Sequence, residues 1–472
     1  MSMITLAECA RLLSATMHPS NTSNDGVFES VSTDSRSVGA GQLFVALVGE
    51  NFDGHDYVAS AAVHGATAAL VSRLVDTADT PITQILVGDT MWAYGKLAQH
   101  WRSRSSCLIL ALTGSNGKTT VKEMLRSILE AHIGDANKIH VTEGNLNNNI
   151  GVPQMLLGLN HSHRLAVFEL GMNHLQEIDY LTRLVMPDVA LIIMAGTSHI
   201  GELGSRQAIA QAKGEIFAGL SDDGIAVINI DDDYSRYWRG VVGSKNKRKI
   251  ISFGLRHDAA VRGTLGPDPL TGEPSTLAIT IAGETANIKL KVIGEHNQRN
   301  AIAAAAGAHA LGVGLATIAA GLASFTGVAG RLRTYAGLQG ATVIDDTYNA
   351  NPDSMRAAIA VLAATHGKKI LVLGDMGELG KDAEKMHHEI GAAARQANID
   401  ALYGMGALAN FYVDAFGLDA THYMNAEELI AGLTASLDAN TTVLVKGSRF
   451  MQMERVVRKI APEYSAQHKD AH

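Results

Sequence analysis

The segment Thr113-Gly114-Ser115-Asn116-Gly117-Lys118-Thr119-Thr120 has the residue types needed to hold a polyphosphate. Gly114 and Gly117 let backbone N–H groups close around phosphate oxygens, Lys118 can reach the β- and γ-phosphates, and Thr119 offers a hydroxyl to Mg²⁺. Leu112 stands where the longer form of such a loop has its first glycine, so this is the shorter T-G-x-x-G-K-T variant. Glu169, in Phe168-Glu169-Leu170-Gly171, ends a later apolar run, where a second Mg²⁺ ligand belongs in a phosphate-loop fold. His199, in Thr197-Ser198-His199-Ile200-Gly201, follows another such run. A lone histidine is more often structural, and this one gains weight because its loop should open at the same rim as Glu169. Lys213 falls on the apolar stripe of Ile209, Ala212, Ile216 and Phe217. It either snorkels to the rim or is buried, and a buried ammonium must be paired, neutralised or modified. Spacing alone leaves both readings open. Asp231-Asp232-Asp233 reads as turn and capping residues, and the basic run Lys245, Lys247, Arg248, Lys249 as a solvated loop.

A phosphate loop works only between a buried strand and a helix. Cys107 to Leu112 is a continuous apolar run, as a buried parallel strand requires, and Val121, Met124, Leu125, Ile128 and Leu129 follow helical spacing. Further strands are predicted at 165–168, 189–193 and 225–228, alternating with helices, which means a parallel sheet covered on both faces. Strict alternation from Leu277 to Val292 around Gly283 predicts an antiparallel hairpin appended to that sheet. Upstream, strands at 43–47, 68–71 and 85–87 with helices at 57–64 and 90–102 form a small α/β unit. A third α/β unit starts near Arg331, with strands at 342–344, 370–373 and 443–445.

The chain has 472 residues, enough for about three domains without disulfide support. With 39 basic and 47 acidic residues its net charge is −8, which argues against a nucleic-acid binder. Two cysteines exclude a disulfide scaffold or a cysteine-rich zinc module. The longest clean apolar run, Val189 to Ala195, is too short for a membrane span, and the first residues lack a signal-peptide core. A soluble cytoplasmic enzyme is the expected class.

Together these motifs resemble the Mur ligase family, the ATP-dependent amide-forming enzymes of peptidoglycan synthesis. The resemblance covers nearly the whole chain. It includes the Thr113–Thr120 loop, Glu143-Gly144-Asn145-Leu146-Asn147-Asn148-Asn149-Ile150-Gly151, Phe168–Gly171, Ala212-Lys213-Gly214-Glu215 and His296-Asn297-Gln298-Arg299-Asn300-Ala301. Asp345-Asp346-Thr347-Tyr348-Asn349-Ala350-Asn351-Pro352, Leu373–Gly380 and Val445-Lys446-Gly447-Ser448-Arg449 are similar to the members that use a D-alanyl-D-alanine donor and a UDP-N-acetylmuramoyl tripeptide acceptor. The D-N-P-R/A tetrapeptide of the diaminopimelate- or lysine-adding sister is absent.

The resemblance implies an α/β fold of three domains: a UDP-muramoyl-binding domain (1–88), a central phosphate-loop ATP-binding domain (89–330) and a C-terminal Rossmann-like domain (331–472). It implies ATP with two Mg²⁺ ions. Thr119 and Glu169 would hold the first, His199 would be a ligand of the second, and Lys213 would carry a CO₂-derived carbamate serving the metal site. Asn297 and Asn300 would lie near adenine, Asp346 at the ribose, and Arg331 at the γ-phosphate. Capping of the following alanine-rich helix is the alternative for the two asparagines. Ser35, Arg36 and Asn51 would bind the UDP end. Asn145, Asn147, Asn148, Tyr348, Asn349, Lys446 and Ser448 would serve the sugar, peptide or donor, although asparagine-rich turns also occur for backbone reasons. A monomer is expected. A related ligase such as a folylpolyglutamate synthase, and a phosphate-loop regulatory ATPase that needs no acyl acceptor, are the competing readings.

Overall fold

The computed structural model describes residues 3–18, 26–77, 79–243, 247–267 and 275–467. Three larger sheets follow one another along the chain. The first has five strands in the order Thr16–His18, Thr83–Leu86, Ala68–Val71, Gln42–Val45, Ser30–Ser32, all parallel except the first pair.

The central sheet has nine strands. Its middle consists of β1 (Leu108–Thr113), followed by α1 (Lys118–Ile133), then β2 (Leu165–Glu169) and β3 (Val189–Ile192). After β3 come α2 (Arg206–Gly214), β4 (Ile225–Asn229) and, beyond the antiparallel hairpin, the alanine-rich α3 (Glu295–Ala310). β1 lies between β2 and β3, parallel to both. Its alternating side chains separate two cores: Ile109 and Ala111 face one with Phe168 and Ile192, Leu110 and Leu112 the other with Val167 and Leu191. A strand buried on both faces must be apolar throughout, which is why this run lacks polar alternation. The predicted stripe of α1 is buried, and on the same face the small side chains of α3 allow it to pack close to the sheet.

The predicted hairpin is present as Thr276–Ile281 paired antiparallel with Glu284–Lys289. The strand Val261–Leu265, which pairs with it and carries Arg262 and Thr264 among its residues, was missed because it is short and partly polar. The basic run is not a solvated loop throughout. Lys249 opens the strand Lys249–Gly254, and Arg248 donates to the carbonyls of Phe217 (2.7 Å), Leu220 and Ser221 (3.1 Å), satisfying the end of the turn after α2. Lys245 lies outside the described residues.

The C-terminal sheet has six strands. It contains β5 (Thr342–Asp346), followed by α4 (Pro352–Ala363), β6 (Lys368–Gly374) and β7 (Thr441–Lys446). β7 is inserted between β5 and β6, parallel to both. Only the edge strand Arg333–Ala336 runs antiparallel. The loops after β5, β6 and β7 therefore open at one end of this sheet, and that end faces the loops after β1, β2 and β3. Among the described residues no helix is long and apolar enough to cross a membrane.

Candidate active site

The register of the central sheet sets the first part of the site. Leu112 of β1 pairs with Glu169 of β2, so the phosphate loop leaves the sheet beside the carboxylate. Thr119 Oγ1 then donates to Glu169 Oε2 at 3.0 Å, and Asn147 Nδ2 donates to Oε1 at 2.8 Å. Gly117 caps α1 with φ +82°, and a Cβ there would stand 2.4 Å from Asn300 Oδ1, so conformation and space both require glycine. Lys118 Nζ folds back to donate to the Gly114 carbonyl at 2.9 Å. Burial pulls the Lys118 ammonium down from its ordinary range, Glu169 pushes it back up, and Arg331 adds to the depression.

Arg331 reaches this centre from the start of the C-terminal unit. Its Nη2 donates to Thr119 Oγ1 at 2.9 Å, and its guanidinium lies over the Tyr348 ring, 4.1 Å from the centroid. The fully buried Asp345 holds the segment in place: one carboxylate oxygen accepts from Gly330 N at 2.9 Å, the other from Thr347 N and Oγ1. Between the two units lies a cleft of about 910 Å³. Its walls include Ser115 to Thr120, Asn145, Asn147, Glu169, His199, Asn297, Asn300, Arg331, Asp346, Tyr348, Asn349, Lys446 and Ser448. Most of the expected site residues thus meet in one place.

Individual positions differ from the sequence expectations. Thr113 and Gly114 support the loop from behind, Thr113 Oγ1 donating to the Leu170 carbonyl at 2.9 Å. Asn148 does not line the cleft; its Oδ1 accepts from Ile150 N and Gly151 N and closes the turn into the helix Gly151–Leu157. Its neighbours Asn145 and Asn147 do face the cleft. Asn297 and Asn300 are not helix caps, because Gly294 caps α3. Instead Asn297 Nδ2 donates to the Ile293 carbonyl at 2.8 Å, and both side chains border the cleft. Lys446 Nζ is not a free cation: it pairs with Asp346 Oδ2 at 2.7 Å and donates to the Asn349 carbonyl at 2.7 Å. Ser448 Oγ accepts from Gly377 N and donates to the Ala350 carbonyl, tying three loops together. The aspartate run makes turns as read, with Asp232 accepting from Ala195 N and Tyr234 N.

Ser35, Arg36 and Asn51 lie outside this cleft. Arg36 is 88 % exposed and pairs with Asp34, whose carboxyl it holds down at about 2 by side-chain hydrogen bonding. Lys213 is 1 % exposed, so its ammonium is not carried to solvent. Its side chain makes no hydrogen bond or ion pair among the described residues, and it is not one of the residues that line the cleft. Burial lowers it far below the ordinary lysine range and repulsion from Lys118 lowers it further.

His199 adopts φ +64° at the start of the short helix Ile200–Leu203. Its Nδ1 lies 2.8 Å from Oε2 of Glu378, whose carboxyl is held below its usual range chiefly by that contact. Glu378, Asn351 and Asp353 were missed as site residues although they sit within or beside the quoted motifs. Glu378 had one sequence signal, a carboxylate in the glycine-bounded turn Gly377-Glu378-Leu379-Gly380 that follows a strand. Asp353 Oδ2 accepts from Thr197 N (2.7 Å) and Thr197 Oγ1 (2.8 Å), again joining the two units.

Fold and site together define a phosphate-loop nucleotide enzyme whose active site is shared between two α/β units. The chain belongs to the Mur ligase family. The Mur ligase middle domain matches residues 112–308, the Mur ligase glutamate ligase domain residues 330–449, and the Mur ligase family catalytic domain residues 27–99. It is 38 % identical over 462 residues to the UDP-N-acetylmuramoyl-tripeptide–D-alanyl-D-alanine ligase of Escherichia coli (strain K12), covering 98 % of this chain and 99 % of that relative. The crystal structure of MurF from Acinetobacter baumannii superposes with a TM-score of 0.87 at 36 % identity, covering 96 % of this chain and 98 % of the other. MurF ligase from Thermotoga maritima in complex with ADP gives a TM-score of 0.79 at 26 % identity, over 93 % and 98 % of the two chains.

Proposed function

We propose that this chain is the ATP-dependent ligase that joins D-alanyl-D-alanine to UDP-N-acetylmuramoyl tripeptide in peptidoglycan precursor synthesis, releasing ADP and phosphate. The reading rests on the convergence of Lys118, Thr119, Glu169 and Arg331 on one cleft. It is supported by near end-to-end similarity to ligases of that name. The acceptor's terminal carboxylate attacks the γ-phosphorus of ATP, and the bond to the ADP oxygen breaks. Lys118 and Arg331 offset the charge that spreads over the transferring phosphoryl oxygens. The product is an acyl phosphate. The amine of D-alanyl-D-alanine attacks its acyl carbon and loses a proton, and phosphate leaves.

Mg²⁺ would supply charge neutralisation at the β- and γ-phosphate oxygens. Thr119 and Glu169 fit one ion and His199 a second. Among the described residues no cluster of three acidic, histidine or cysteine ligands exists, so phosphate oxygens and water would complete each shell, as is usual for Mg²⁺ on nucleotides. For Lys213 the reading is a carbamate: the neutral amine adds CO₂, an N–C bond forms and one proton is released. Deep burial with no side-chain partner among the described residues supports it, because burial keeps the amine neutral and so able to add CO₂, and Lys118 would offset the negative charge of the carbamate.

Asn297 and Asn300 would border adenine and Asp346 the ribose. Ser35, Arg36 and Asn51 would hold the UDP end, and Asn145, Asn147, Tyr348, Asn349 and Ser448 the peptide and donor. The three functional units are 1–88, 89–330 and 331–472. Closing the third onto the second keeps water from the acyl phosphate. The enzyme acts in the cytoplasm as a monomer. A phosphate-release assay with both substrates and ATP, omitting each in turn, tests the reading. Release should require all three, with ADP as the nucleotide product; hydrolysis without acceptor, or pyrophosphate as product, overturns it.

A further inference from the structure

The side chain of Asn351 is used at every polar atom. Its Oδ1 accepts from Ser354 N at 2.9 Å, which caps α4. Its Nδ2 donates across the cleft to Asn116 Oδ1 of the phosphate loop (2.7 Å) and to Ser198 Oγ, beside His199 (2.6 Å). Ser198 Oγ in turn donates to the Ser115 carbonyl at 2.9 Å, so the phosphate loop and the His199 loop already form one connected surface. The amide is buried, and its direction is fixed because the capping bond holds the oxygen toward α4 and leaves the nitrogen facing the other unit.

We propose that Asn351 is a positioning residue: it docks the C-terminal unit on the phosphate loop and so places Arg331 over Thr119. No other side chain of similar size can cap a helix through an oxygen and offer two donors on the same group. Aspartate and serine both cap well, yet neither can supply the two donors. This inference rests on reading the loop as the ATP site, but docking itself is read from molecular shape and not from turnover.

The experiment uses the full-length chain with Asn351→Ser, Asn351→Asp and Asn351→Ala. Small-angle scattering of the proteins with and without a non-hydrolysable ATP analogue reads docking, thermal melts read the cap, and steady-state kinetics read the consequence. Ser and Asp should melt near wild type, while Ala should melt lower by a few degrees through loss of the cap. All three should show an expanded scattering profile and a kcat reduced roughly tenfold or more, the loss expected of two hydrogen bonds. The KM for the UDP acceptor should change little. Wild-type scattering and kcat in the Ser and Asp variants would reduce Asn351 to a helix cap and overturn the proposal. So would a fall in melting temperature common to all three with docking unchanged. Failure of the ligase reading would instead show as a wild-type enzyme that makes no ADP from the full substrate set.

Discussion

Arg331 and Thr119 are 212 residues apart in the chain and joined by a 2.9 Å hydrogen bond from Nη2 to Oγ1. The guanidinium also stacks on Tyr348, so its plane is fixed before any phosphate arrives. Lysine at this position would keep the charge and lose the fork and the stacking. Arg331→Lys should therefore lower kcat by roughly 10²-fold, typical for one lost transition-state donor, with a smaller change in the KM for ATP. Near-normal kcat in this variant would place Arg331 outside the chemistry.

Glu169 accepts from both Thr119 and Asn147. Glu169→Gln keeps the size of the side chain but removes the charge a divalent ion would need. Turnover should fall by roughly 10²–10³-fold, in part recovered by raising Mg²⁺, while the thermal melt stays near wild type. Ordinary activity at low Mg²⁺ would show that the carboxylate serves the loop's structure alone.

Lys213 is buried with no side-chain partner among the described residues, and Lys118 repels it. Lys213→Ala should be nearly inactive, and small carboxylic acids should partly restore it by occupying the place of a carbamate. Lys213→Arg should remain inactive, because a guanidinium forms no such adduct. An active Lys213→Arg enzyme would mean that the site uses a positive charge.

Arg36 is exposed, and its ion pair with Asp34 contributes little to the fold. Arg36→Ala should leave the melting temperature unchanged and raise the KM for the UDP acceptor without moving that for ATP, since Arg36 lies outside the cleft proposed to hold ATP. Equal shifts in both constants would contradict its assignment to the UDP end.

His140 gives a pH dependence of stability. Its Nε2 lies 2.7 Å from the Met155 carbonyl, and its ring packs against His163. Burial pushes its pKa down from 6.5 to about 4. Between these values the unfolded chain takes up a proton that the folded one refuses. The contribution of His140 is therefore full above pH 6.5 and is lost as pH falls toward 4. Melting temperatures of wild type and His140→Gln, compared at about pH 7 and about pH 5, should show a smaller acid-induced drop in the variant. Parallel drops would assign the acid sensitivity to other groups.

The phosphate loop, Glu169 and the strands around them were legible because each depends on local rules. Glycines, a Lys-Thr pair and an apolar run are contiguous, and a strand buried on both faces shows itself as unbroken hydrophobicity. Lys213 was legible as a problem, since its place on a helical stripe left a snorkelling or a buried lysine, but the choice between them was not legible, since nothing local says what surrounds the end of the side chain. Asn148 shows the opposite limit: its motif suggested binding, yet the turn it closes consumes its oxygen. The contacts from Arg331, Asn351, Asp353 and Glu378 to the central unit follow from how two sheets face each other, and no spacing within one segment encodes that. Sequence by itself determined the elements and the chemical groups at their ends. Tertiary structure decided which of those groups meet, because hydrogen bonds form over about 3 Å while the residues that make them are placed by the packing of whole units.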